Sequence, residues 1–197
     1  MRIKKDFFEK DTNELAKELL GKKIIRILEN GKRIEAIITE TESYHGFDDK
    51  ASHASRKKTE RNKIMFDEAG LVYVYLIYGM HWCLNFTTMP KDFPAAVLIR
   101  GVYPTHPTNL SSVALAEEDP TPLTNLAPIN GPGETCKFLE IDKTFYGENL
   151  FKSKRFWLED GIEINKNDII AGKRIGVNYA EECAEWLCNY KIIISNE

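Results

Sequence analysis

The chain has 197 residues, a formal net charge of −3 and a hydrophobic share of 43%, with only 12 Gly and 8 Pro. That length suits one domain with a sizeable core, and the composition excludes a disordered or low-complexity chain. The weak acidic balance gives no global attraction to a polyanion, and the lack of any run of 18 uncharged apolar residues excludes a membrane-spanning helix.

Cys83, Cys136, Cys183 and Cys188 form no CxxC pair, no zinc-ligand spacing and no small disulfide framework. They read as reduced thiols of a cytoplasmic protein. The opening Met-Arg-Ile-Lys-Lys-Asp-Phe-Phe is too poor in apolar residues for a signal peptide.

In chain order, Asp11 or Thr12 caps a short helix with Leu15, Leu19 and Leu20 at helical spacing, and Gly21 is placed to end it in a left-handed cap. Residues 24–28 and 34–41 are β-branched runs joined around Asn30-Gly31, a dipeptide suited to a type I′ hairpin. This ribbon delivers Glu40 and Glu42 on one face, with the ring of Tyr44 continuing that face. Residues 45–63 read as short helices and loops carrying Lys50, His53, Arg56, Lys57, Lys58, Arg61 and Lys63 against the single acid Glu60.

Residues 71–77 are a strand with Tyr73, Tyr75 and Ile77 on one face and Val72, Val74 and Leu76 on the other. Tyr78-Gly79-Met80-His81 is a hairpin tip, because residues 82–87 resume strand composition at once. A further strand, 95–102, ends near Arg100. Prolines mark 103–132 as a surface excursion with one short helix at 111–118. Residues 133–141 are helix-like and 155–164 strand-like, and 174–177 precede an amphipathic stretch and a last apolar run, 192–194. The expected fold is a single α+β domain over 1–197: a curved, mainly antiparallel, open-barrel-like sheet with flanking helices and a protruding β-hairpin.

Glu40 and Glu42 alone would suit a solvated strand. Beside a ring and a histidine at the end of a ribbon, one of them suits a general base for water. His45, Asp48, Asp49 and His53 with the glutamates offer a metal-dependent hydrolase or nuclease instead, though no fixed ligand spacing such as HExxH is present. The run from Lys50 to Lys63 is large enough for several phosphate contacts. A tyrosine at a turn tip has little core to fill, so Tyr78 suits a wedge into a base stack. Together these describe a grip on the backbone, an inserted aromatic, and two rings around an extruded base beside a carboxylate. Flipping costs a few kcal/mol and stacking returns about 1–3 kcal/mol per base, so a weakly paired, damaged base is favoured. A nucleic-acid-binding module without catalysis is the third reading.

Glu40-Thr41-Glu42-Ser43-Tyr44, Ala51-Ser52-His53, Arg61-Asn62, the run from Gly70 through Met80, Asn85, Leu98-Ile99-Arg100, Asn130-Gly131-Pro132-Gly133 and Arg174-Ile175-Gly176-Val177 resemble the alkyladenine (3-methyladenine) DNA glycosylase family over nearly the whole chain. The resemblance implies a compact, bacterial-type monofunctional glycosylase. It would hydrolyse the N-glycosidic bond of an alkylated or deaminated purine in duplex DNA, as a monomer at the nucleoid, without cofactor, metal or Schiff-base lysine. By the same resemblance Glu42 activates water, assisted by Arg100 and the main-chain carbonyl of Ile175. Tyr44 and Tyr75 stack on the base, His53 bonds near it, and Asn85 forms the pocket floor. Tyr78 intercalates, with Met80 beside it, and Arg56, Lys57, Lys58, Arg61 and Lys63 contact the DNA backbone. Glu60, the Met80-His81-Trp82 turn and the segment from Glu185 to Tyr190 depart from the family pattern. Glu60 and the Glu185 segment are expected to lie off the pocket.

Overall fold

A computed structural model describes residues 1–105 and 127–193; the helix expected at 111–118 and the end of the last apolar run, Ile194, lie outside them. Helix α1 (Thr12–Leu19) starts where Asp11 accepts from the N–H groups of Asn13 and Glu14 at 2.8 and 3.2 Å, two of the donors a helix start leaves unpaired. It buries Leu15, Ala16 and Leu19. Leu20 ends the helix in an extended conformation, and Gly21 then adopts the left-handed one at φ +82°. A Cβ there would stand 2.5 Å from the Ile162 carbonyl oxygen, so glycine is required twice over.

Strands β1 (Lys23–Ile27) and β2 (Arg33–His45) form the expected ribbon, with Ile27 opposite Arg33. The turn is not type I′. Asn30 stays out of the positive-φ region and only Gly31 enters it. Gly31 N–H donates to Leu28 O at 2.9 Å, and the Asn30 side chain accepts from Lys32 N–H at 2.9 Å. The asparagine side chain caps the turn locally, which makes a second left-handed residue unnecessary.

Strands β3 (Val72–Ile77), β4 (His81–Thr87) and β5 (Ala95–Pro104) complete an antiparallel sheet with the path β3-β4-β5-β2-β1-β7, where β7 is Phe156–Glu159. Strand β6 (Ile129–Asn130) pairs with β5 and precedes helix α2 (Pro132–Phe138). Short β8 (Ile170–Gly172) and β9 (Asn189–Lys191) close against β2. The strand expected over 155–164 is therefore only four residues long. Residues 46–62 hold turns and no helix, and the amphipathic stretch is a kinked 3₁₀ segment, Asn178–Glu185. His81, expected in the tip, begins β4 opposite Ile77.

The main core fills one side of the sheet, with Val72 and Val74 of β3, Phe86 of β4, Val97 and Ile99 of β5, and Ile38 of β2 packed under α1 and Phe8. Strict alternation from Ile38 would carry residues 40, 42 and 44 into that core. Instead β2 and β5 each hold an extra residue. Ile38 pairs Val102, Glu40 pairs Gly101 and Thr41 pairs Ile99, so Thr39 and then Arg100 stand unmatched. These bulges reverse the facing of each strand. Thr41 and Ser43 turn toward α1, bonding Ala16 O at 2.8 Å and Asn13 Oδ1 at 2.6 Å. Glu40, Glu42, Tyr44, Leu98 and Arg100 are left for the opposite side.

Candidate active site

On that opposite side Glu42 has no exposed surface. Its Oε1 accepts from Ile175 N–H at 2.8 Å and from Asn189 Nδ2 at 3.2 Å, and Arg100 Nη1 lies 3.5 Å away. Its Oε2 accepts from the Tyr44 hydroxyl at 2.8 Å. Burial, then the Glu42 charge, hold the Tyr44 phenol well above its usual range, so this hydroxyl stays protonated and donates. An ionised carboxylate accepts at about four sites, and a buried one persists only when paired and hydrogen-bonded. Here both conditions are met, and the Tyr44 hydroxyl takes one of the two acceptor sites of Oε2. Glu40 stands alongside, 2.7 Å from Asn189 Nδ2 and 3.3 Å from Arg100 Nε.

The carboxylate opens on a cavity of about 350 Å³ lined by Glu42, Tyr44, His53, Tyr75, Asn85, Arg100 and Ile175, and also by Tyr73, Tyr78 and Arg61. All seven residues read from the sequence as catalytic or base-binding therefore meet in one place. Asn85 Nδ2 donates to the carbonyls of Tyr73 and Cys83 at 3.1 and 3.3 Å, which anchors the amide nitrogen and leaves Oδ1 as its remaining acceptor.

His53 presents one edge to solvent at the mouth, while its Nδ1 sits 3.0 Å from the Tyr73 hydroxyl and its ring meets Tyr75 edge-on at 4.6 Å. Withdrawal from water, and next the Arg61 guanidinium, push its pKa down to about 4. Burial also raises the Tyr73 phenol, so its hydroxyl keeps its proton. Donation of that proton to neutral His53 leaves Nε2–H as the histidine's own donor.

The basic run divides on folding. Asn62 shapes it, accepting from Thr59 N–H at 2.6 Å and donating to the carbonyls of His53 and Lys57 at 2.8 and 3.0 Å. Arg56, Lys57 and Lys58 are exposed, and Lys58 also lies 5.0 Å over the Phe66 ring. Lys63 pairs with Glu60 at 2.7 Å and Lys50 with Glu182 at 2.8 Å. Arg61 belongs to the cavity, its guanidinium 4.9 Å over the Tyr75 ring. At the hairpin tip Tyr78 and Met80 are 87% and 69% exposed; Tyr78 borders the cavity, and Met80 borders a separate groove beside α2.

The acid-and-histidine cluster read as a possible metal site does not assemble. Asp49 is buried against Arg174, whose Nη2 donates to Oδ1 at 2.8 Å, and His45 Nδ1 bonds Thr12 Oγ1 at 2.8 Å. Among the described residues no three His, Cys, Asp or Glu side chains form a group able to hold a metal ion.

Ile175 contacts Glu42 through its N–H. The Glu185–Tyr190 segment contributes no residue to the cavity lining, yet Asn189 on β9 stands opposite Glu42 on β2 and bonds it. No local spacing flags this asparagine, because a three-residue strand is too short to carry a pattern. The Arg174–Asp49 pair, which positions Ile175, is likewise silent in sequence.

The family model for methylpurine-DNA glycosylase (MPG) matches residues 6–195. A relative from Clostridium novyi is 41% identical over 195 residues, covering 97% of this chain and 94% of its own. One from Methanocella arvoryzae is 41% identical over 182 residues, covering 92% and 88%. One from Rickettsia felis is 44% identical over 158 residues, covering 80% and 77%. Each bears the name "Putative 3-methyladenine DNA glycosylase". With a carboxylate, rings and a guanidinium gathered in one cavity, the chain belongs to the methylpurine-DNA glycosylase family, hydrolases of the N-glycosidic bond.

Proposed function

We propose that this glycosylase, acting as a cytoplasmic monomer on duplex DNA, removes 3-methyladenine and, more slowly, 7-methylguanine, hypoxanthine and ethenoadenine. The observation that carries the reading is the fully buried Glu42, held by three hydrogen-bond donors and the Arg100 ion pair and opening on the aromatic cavity. A purine extruded from the duplex stacks between Tyr44 and Tyr75 while Tyr78 fills the gap it leaves. A water on the open side of Glu42 Oε2 attacks C1′ of the sugar. The C1′–N bond breaks with its electron pair passing to the purine, and the water's proton passes to Glu42.

A cationic alkylpurine leaves as a neutral base and needs no proton from the protein. The ionised Glu42 also stabilises the cationic, oxocarbenium-like sugar, so one carboxylate performs both tasks. Neutral lesions such as hypoxanthine require a proton on the leaving base, hence their slower release. 7-Methylguanine is cationic but carries the exocyclic amine that Asn85 on the cavity floor crowds, hence its lower rate.

The test is release of free 3-methyladenine from methylated duplex in excess EDTA. Wild-type protein is expected to release it, and Glu42→Gln to release it about 10²–10⁴-fold more slowly. A metal-dependent nuclease would release nothing under chelation, and a binding module nothing at all. Full activity in Glu42→Gln would overturn the assignment of the base.

A further inference from the structure

Glu40 and Glu42 are two carboxylates that share a single guanidinium. Arg100 Nε lies 3.3 Å from Glu40 Oε1 and Nη1 lies 3.5 Å from Glu42 Oε1, so one positive charge faces two negative ones. Neighbouring carboxylates of like charge repel one another. The remaining group between them is neutral: the Asn189 amide, 5% exposed, donates to Glu40 Oε1 at 2.7 Å and to Glu42 Oε1 at 3.2 Å. Both partners accept only, so the amide orientation with Nδ2 toward them is the one the network requires. Antiparallel pairing of β9 with β2, with Asn189 opposite Glu42, fixes the side chain at this spot.

We propose that Asn189 is a positioning residue for the reaction: its two N–H groups bridge Glu40 and Glu42 and lock Glu42 Oε1 so that Oε2 is left for the attacking water. The inference rests on Glu42 being the base. Without the bridge, the pair relieves its repulsion by taking up a proton or by turning Glu42 aside. The other titratable groups around Glu42 hold one charge state across the pH range that matters. Tyr44 beside it and Tyr75 across the cavity are pushed well above their usual value, Cys83 up to about 11, and His53 down to about 4. Arg61, Arg100 and Arg174 are guanidinium cations, and Lys191, opposite Glu40 on β9, and Asp49, bonded to Arg174, complete the charged groups around the pair. A change in the rate profile between pH 5 and 8 thus reports the carboxylate pair.

The experiment is single-turnover release of 3-methyladenine from pH 5 to 8 for wild type, Glu42→Gln, Asn189→Ala and Asn189→Asp, with thermal melts of each. Asn189→Ala is expected to lose about tenfold at neutral pH, the value of a charge-assisted hydrogen bond. The acidic limb of its profile moves up by about one pH unit, while affinity for the duplex is unchanged. Asn189→Asp keeps the shape but adds a third carboxylate, so its rate rises as pH falls and the new carboxyl takes a proton to donate in the amide's place. Losses that follow the melting temperature with unmoved profiles would make Asn189 a structural residue only and overturn the proposal. Wild-type rates in both variants would do the same. A silent wild type would instead remove the proposed activity, and full activity in Glu42→Gln the assignment of the base; only those two results touch the underlying reading.

Discussion

The N–H of Ile175 donates to Glu42 Oε1 at 2.8 Å although 133 positions separate the two residues. What brings them together is the neighbouring Arg174, buried with its guanidinium bonded to Asp49, to Ser43 O at 2.9 Å and to Cys183 O at 3.0 Å. The same guanidinium lies 4.9 Å from the centre of the Tyr44 ring. One buried ion pair therefore locates a donor to the carboxylate and backs one wall of the cavity.

Asp49→Asn tests that link. The change keeps the shape but leaves Arg174 charged and unpaired in the interior, which costs about 3–5 kcal/mol when one partner of a buried pair is removed. Chemical denaturation is expected to show that loss. Because Ile175 then loses its anchor, base release is expected to fall further than duplex affinity. Equal stability to wild type would mean that Asp49 contributes nothing net to the fold.

The short-range part of this site was legible in the sequence. Tyr73 and Tyr75 share a face with two-residue spacing, and the Tyr78 turn interrupts strand composition. Glu40, Glu42 and Tyr44 share one face as their two-residue spacing predicts, because both bulges lie outside that stretch of β2, at Thr39 and across the sheet at Arg100. The bulges themselves left no mark, since alternation of Ile38, Glu40 and Glu42 predicts one common face. Asn189 and the Arg174–Asp49 pair were illegible for a different reason. Their partners are set by strand pairing and burial more than 120 residues apart, which no local period encodes.

His53 supplies a pH signature. Its pKa in the folded chain, pushed to about 4, lies below the 6.5 of an unperturbed histidine, so the unfolded chain takes up this proton first on acidification. Stability from the neutral ring is fully present above pH 6.5 and is lost as the pH falls toward 4. Ring resonances of His53 followed by NMR are expected to titrate far below 6.5, and Arg61→Ala to move the midpoint upward. A midpoint near 6.5 would place His53 in water and remove this signature.

Tyr78 lends itself to a clean separation of binding from folding. It is 87% exposed at the hairpin tip, so its ring contributes little to the core. Its φ of 51° is left-handed, and Gly79 follows at 70°, a backbone that alanine adopts about as well as tyrosine. Tyr78→Ala is therefore expected to keep the wild-type melting temperature. Its affinity for a lesion-bearing duplex at fixed salt should fall about 10- to 100-fold, the equivalent of one stacked ring. Met80→Ala, one position beyond the glycine, should follow in the same direction and by less, because a thioether stacks more weakly than a phenol. Unchanged affinity in Tyr78→Ala would mean that the gap left by the flipped purine is filled from elsewhere on the protein.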